Sequence, residues 1–65
     1  MKYLLKEEYQ GKYKNSYIAD KLSLSKVYVS MILNRKRPIS KYMAYAFTKV
    51  VDINAEVEDL FESVK

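Results

Sequence analysis

Between Asn15 and Val51 the apolar residues return every three or four positions, the spacing of one helix face. Ile18, Ala19 and Leu22 form one such set. Val29, Ile32 and Leu33 form a second, and Met43, Phe47, Val50 and Val51 a third. A residue with capping chemistry precedes each set: Asn15, Ser25 and Ser40 all carry a side-chain oxygen that can accept from an unpaired first-turn amide. The spacing predicts helices over about residues 16–22, 26–33 and 41–51. Ser23 and Leu24 make the turn between the first two, with Leu24 plugging the core. Residues 34–39 form a loop, in which Pro38 fixes the backbone and keeps Arg37 out of helical geometry.

The flanks complete an all-α expectation. A first helix runs from Lys2 to Tyr9 or Gln10, with Leu4, Leu5 and Tyr9 inward, and Gly11, the only glycine, stops it. Lys12 to Lys14 are a connector. After Val51, Asp52 tolerates a break and Ile53 turns back into the core. Asn54 caps a last short helix from Ala55 to about Glu62, where Glu56 and Glu58 favour the helix dipole and Leu60 and Phe61 anchor the packing. The expected architecture is thus five helices in a single domain, residues 1–65.

Size and composition narrow the chemistry. A chain of 65 residues buries only about 60% of its unfolded surface, so it builds flat or convex surfaces more readily than clefts. It has no Cys and no His, which excludes disulfide frameworks, zinc ligand sets, thiol nucleophiles and imidazole catalysis. With no glycine-rich loop and no paired carboxylates in a cleft, an enzyme is not expected. No cofactor, metal or small-molecule ligand is expected either. The amino-terminal apolar patch is too short for a signal peptide, and no run approaches a membrane span. A cytoplasmic, nucleoid-associated protein is the resulting expectation.

The net charge of +4 is unevenly spread. Residues 1–51 hold 11 Lys and Arg against Glu7, Glu8 and Asp20, a net +8. Residues 52–65 hold Asp52, Glu56, Glu58, Asp59 and Glu62 against Lys65, a net −4. Such a dipolar molecule presents its basic side to a polyanion.

The second predicted helix of the central pair shows what the basic side offers. Opposite Val29, Ile32 and Leu33 its outer arc carries Lys26, Val27, Ser30, Met31 and Asn34, with Tyr28 on the flank. One cation, small polar groups and two apolar groups suit the edges of DNA bases. The cationic run Arg35-Lys36-Arg37 follows at once, and adjacent cations are relieved by a phosphate.

Asn15 to Pro38 resembles the helix-turn-helix of the lambda-repressor-like family, which includes phage repressors, Cro proteins and many small bacterial regulators. The likeness lies in Ala19 at the small position between the helices, in Ile18, Leu22, Leu24, Val29 and Ile32 at buried positions, and in the polar, basic loop from Asn34 to Pro38. Three positions depart from it. Ser23 stands where the turn commonly has Gly, Asn15 stands where Gln often reaches a phosphate, and the connector from Gly11 to Lys14 is long. The resemblance implies a compact five-helix fold. It also implies a sequence-specific double-stranded DNA operator as partner, and transcriptional regulation of the Cro or repressor kind, of phage or mobile-element character. A weak homodimer is implied through the last two helices, by Tyr45, Ile53, Val57 or Val64.

On this reading Lys26, Val27, Ser30 and Met31 contact bases, Lys26 having a phosphate as its other possible partner. Asn15, Ser25, Tyr28, Asn34, Arg35, Lys36 and Arg37 contact phosphates, Ser25 also capping its helix. Tyr28 either reaches a phosphate through its hydroxyl or packs its ring on the preceding helix. Tyr42 and Tyr45 lie off the apolar stripe and either join a self-association surface or touch phosphate. Two other functions compete: a protein-interaction module, antitoxin-like or anti-repressor, that binds a partner through the acidic carboxy-terminal helix; and an RNA or single-strand binder that stacks bases on the seven tyrosines.

Overall fold

The computed structural model describes residues 2–64. Strand β1 (Lys2–Leu5) leads into a 3-10 turn (Glu7–Tyr9) and a connector. Helices α1 (Asn15–Leu22) and α2 (Lys26–Leu33) follow, then the two-residue strand β2 (Ile39–Ser40) and helix α3 (Lys41–Val51). A single helical turn, α4 (Val57–Leu60), runs directly into strand β3 (Phe61–Val64). β1 lies at the centre of a three-stranded antiparallel sheet in the order β2-β1-β3.

The five-helix, all-α expectation is therefore corrected at both ends. The first predicted helix is β1 and the 3-10 turn. Tyr3 and Leu5 are buried and Lys2 is exposed, an alternation of period two rather than a helical stripe. An isolated helix shorter than about 12–15 residues is marginal in water. Here the backbone of β1 pairs on both sides instead, Tyr3 opposite Ile39 and Leu5 opposite Phe61. Those two cross-strand pairs place four buried side chains on one face of the sheet.

The last predicted helix shrinks to α4. Asn54 does not cap it; the Asn54 amide donates to Asp52 Oδ1 at 3.0 Å. Glu56 is the N-cap residue, and its amide donates to Asp59 Oδ2 at 2.8 Å. From Phe61 the backbone is extended, and the Lys6 amide donates to Leu60 O at 2.8 Å, which prolongs the pairing with β1. Ile53 does not enter the core: it is 75% exposed. Val57, assigned above to a dimer contact, is buried inside this chain.

The central helices, at residues 15–22, 26–33 and 41–51, fall within one residue of where the periodicity puts them. Ser25 and Ser40 cap α2 and α3, accepting from the amides of Tyr28 at 3.1 Å and Met43 at 3.2 Å. Asn15 is not a cap but the first helical residue of α1, behind Lys14, and no side chain caps that end. Ser23, standing where the resembled turn commonly has Gly, adopts the left-handed conformation, φ 56° and ψ 42°. For a non-glycine residue this costs about 1–2 kcal/mol.

The core gathers Ile18 and Ala19 of α1, Val29, Ile32 and Leu33 of α2, Ala44 and Phe47 of α3, and the inner face of the sheet. Phe47 and Phe61 meet edge to face, 5.4 Å between ring centres, and join α3 to β3. Among the described residues Thr48 is the one buried polar residue, and its hydroxyl donates to Ala44 O at 2.8 Å. Among the described residues no helix is long and apolar enough to cross a membrane.

Candidate nucleic-acid interface

Helix α2 is held by its inner side and by both ends, which leaves its outer face free. Val29, Ile32 and Leu33 are buried, and the small Ala19 of α1 lets the two helices approach. The carboxy-terminal end closes in a Schellman motif: the Lys36 amide donates to Met31 O at 2.9 Å and the Arg35 amide to Ile32 O at 3.2 Å. Arg35 sits at the left-handed position of that motif, φ 59°, where glycine is the usual residue.

On the outer face seven of the predicted contact residues come together. Asn15, Lys26, Val27, Ser30, Met31, Asn34 and Lys36 line one shallow depression open to solvent. Val27 is 70% exposed, and Ser30 and Met31 are half-buried. Asn34 Nδ2 donates to Ser30 O at 2.9 Å and to Ser30 Oγ at 3.3 Å. This fixes the amide so that its oxygen is the group left for a ligand.

Ser25 lies at the start of the same helix with its oxygen engaged by the Tyr28 amide. Tyr28 is half-buried, and the Arg37 guanidinium lies over its ring, 5.0 Å from the centre. A guanidinium on an aromatic face keeps its in-plane N–H groups available, so the pair presents a charge at the flank of α2.

Arg35 behaves differently from its neighbours. Its Nε donates to Leu5 O at 2.8 Å and its terminal nitrogen to Glu62 Oε2 at 2.6 Å. The guanidinium is turned toward the sheet and fastens the loop after α2 to β1 and β3. The basic loop thus divides into one structural cation and two, Lys36 and Arg37, on exposed residues.

The connector before α1 adds groups that the pattern of apolar positions did not single out. Gly11 (φ 80°), Tyr13 and Lys14 border a second depression that shares Asn15, Ser30 and Asn34 with the first. Lys12 lies over the ring of Tyr9, which stacks on Tyr13 at 6.1 Å. Burial raises the Tyr13 pKa above its ordinary 10.0, with smaller contributions from Tyr9 and Asp52. The available signal was the Lys-Tyr-Lys run placed against a helix start.

Among the described residues no group of three or more His, Cys, Asp or Glu is placed to hold a metal. No family model matches the chain, and neither a curated protein nor a solved structure matches it.

Proposed function

We propose that the chain is a sequence-specific double-stranded DNA-binding regulator of transcription, of the Cro-like or repressor-like kind, working in the cytoplasm at the nucleoid. Helix α2 enters the major groove. Lys26 donates to guanine O6 or N7, Val27 and Met31 lie against thymine methyls, and Ser30 makes a weakly discriminating hydrogen bond. Asn15, Ser25, Asn34, Lys36 and Arg37 meet the backbone, with Arg37 aimed by Tyr28. Arg35 holds the loop in place and makes no phosphate contact.

The observation that carries this reading is the outer face of α2: a cation and two apolar side chains of a capped, well-packed helix, gathered in one depression with Asn15, Asn34 and Lys36. Val27, exposed beside Met31, gives that face apolar surface for a thymine methyl to cover. Two copies acting together would read two half-sites, since each copy offers one such helix.

Selection from a random duplex pool at about 150 mM salt, where non-specific electrostatic binding is weak, tests the proposal. A recovered motif with two inverted half-sites supports a dimeric operator binder, and a single short motif supports a monomeric one. No enrichment overturns sequence-specific binding.

A further inference from the structure

A cleft between the connector and the carboxy-terminal end of α3 has features that DNA binding leaves unexplained. It is open to solvent and holds about 380 Å³, at the small end of the roughly 300–1,000 Å³ of ligand clefts. Ile18 of α1 and the half-buried Val50 and Val51 of α3 give it an apolar floor. Lys12, Tyr13, Lys14 and Tyr17 rim it. Tyr17 is 56% exposed, and Lys21 Nζ lies 5.7 Å from the centre of its ring. Lys12 is held over Tyr9 in the same way, at 5.8 Å.

The charge around the cleft is positive. Among the described residues, Lys12, Lys14 and Lys21 stand at it with one carboxylate, Asp52, which is near enough to act on the Tyr13 phenol. The other charged groups of these elements are turned elsewhere. Lys49 is engaged by the carbonyls of Ile53 at 3.1 Å and Ala55 at 2.8 Å. Asp20 lines a separate hollow with Ser16, Leu24 and Lys26, and Glu7 and Glu8 line another with Lys6, Arg35 and Glu62. What fits must answer both the floor and the rim. A DNA backbone brings anions to the lysines but no apolar side chain to cover Val50 and Val51. Helix α4 of a second copy is acidic, but its apolar residues Val57 and Leu60 are buried in their own chain. A foreign acidic segment with an apolar side chain satisfies floor and rim together, with an exposed tyrosine, a residue type favoured at the centre of contacts, beside it.

We propose that this cleft docks a short acidic segment of a different protein. One large apolar side chain of that segment rests on Ile18, Val50 and Val51, and Asp or Glu on either side of it meet Lys12, Lys14 and Lys21. A single segment covers less than the roughly 800 Å² per partner of a stable interface, so binding is weak and is screened by salt. The cleft shares Tyr13 and Lys14 with the depression that leads to the outer face of α2, yet none of Lys26, Val27 and Met31 lines it. A docked segment therefore lies beside the proposed DNA site without covering it. The inference goes beyond the DNA reading and does not depend on it.

Selection from a library of short random displayed peptides, with the full chain as bait at low salt, tests it. Enrichment is expected for peptides that carry Asp and Glu around a Leu, Ile, Met or Phe. An enriched peptide is then synthesised and its binding followed by fluorescence anisotropy. Affinity should fall by about tenfold or more in Tyr17→Ala, and likewise in the double variant Lys12→Glu with Lys21→Glu. Replacing the apolar residue of the peptide by Ser should have an effect of the same size. All three positions are exposed, and circular dichroism confirms that each variant folds. No enrichment overturns the inference, as do peptides that bind both variants like the wild type. Equal binding of the Ser peptide also overturns it, since bulk charge attraction then suffices. Self-association that is lost in the same variants would put a second copy in the cleft, and duplex binding weakened by Tyr17→Ala would put a DNA strand there; either overturns it. A failed DNA selection beside a successful peptide selection leaves the cleft standing, and the reverse leaves the DNA reading standing.

Discussion

The two halves of this molecule are built by different kinds of information. Helices α1 and α2 and the turn between them are specified within twenty residues. The sheet joins Leu5 to Phe61 and Tyr3 to Ile39, partners far apart in the chain. In the helical half each choice is local: a serine to cap, an alanine for close approach, an apolar residue every third or fourth place. In the sheet half no segment is stable alone, and each strand exists because another lies beside it. The face proposed to bind DNA is carried by the local half, and the sheet serves as its mount.

The largest test of this division is Phe61→Ala. Phe61 is buried on β3 and packs against Phe47 of α3, so it belongs to both halves. Truncating a buried phenylalanine costs about 3–5 kcal/mol, much of the margin of a domain this small. Thermal unfolding followed by helical circular dichroism should show one transition at a much lower temperature. A helical signal that survived while the sheet melted would show that the helical half folds without its mount.

Next in size are substitutions on the proposed DNA-binding face. Lys26→Ala and Met31→Ala should each reduce discrimination between selected and altered duplexes by about 1–3 kcal/mol, with little change in stability. Competition binding against single-base variants of the selected site measures this. Loss that is equal for every duplex would place these side chains on phosphate instead.

Arg35 ties the two halves together, and its variants offer a smaller test. Arg35→Ala keeps the strained left-handed backbone and loses both links to the sheet, whereas Arg35→Gly loses the links and relieves the strain. Denaturant unfolding should rank wild type above Gly and Gly above Ala, with the two variants about 1 kcal/mol apart. In DNA binding, Lys36→Ala and Arg37→Ala should each lower the salt slope by about one, and Arg35→Gly should leave it unchanged. A lowered slope for Arg35→Gly would mean that its guanidinium leaves Glu62 for a phosphate.

The same division explains what the sequence made legible. Residues 15–22, 26–33 and 41–51 could be read because helical period and caps act over one or two turns. Leu4 and Leu5 in succession fit a helix face as well as a strand, and only the pairing with residues far along the chain decides between them. Phe61 was recognised as a core anchor, yet the change from helix to strand at that residue depends on β1. Apolar character alone does not tell a core residue from one held outward on a turn, as Ile53 is. On the candidate site, residue types and spacing gave the outer face of α2. The departure of Arg35 needed the position of Glu62, 27 residues away. The pairing of Tyr28 with Arg37 needed the course of the loop.

Tyr13 joins the two halves and offers the smallest effect. It follows the 3-10 turn, stacks on Tyr9 and lines the hollow beside α1. Its pKa is raised in the folded chain, by burial first and then by the neighbouring Tyr9 and Asp52. Between the unfolded value near 10 and the higher folded value, the folded state holds the phenolic proton more often than the unfolded one. Stability from this group is therefore complete below pH 10 and falls as pH rises through the folded pKa. Lysines titrate in the same range, so the informative quantity is the difference between wild type and Tyr13→Phe. The variant keeps the ring and its stacking but has no proton to lose. Its stability should fall less steeply than that of the wild type above pH 10 and run parallel to it below. Parallel curves throughout would mean that the Tyr13 hydroxyl is as well solvated in the folded chain as in the unfolded one, and that the connector does not hold it against the helical half.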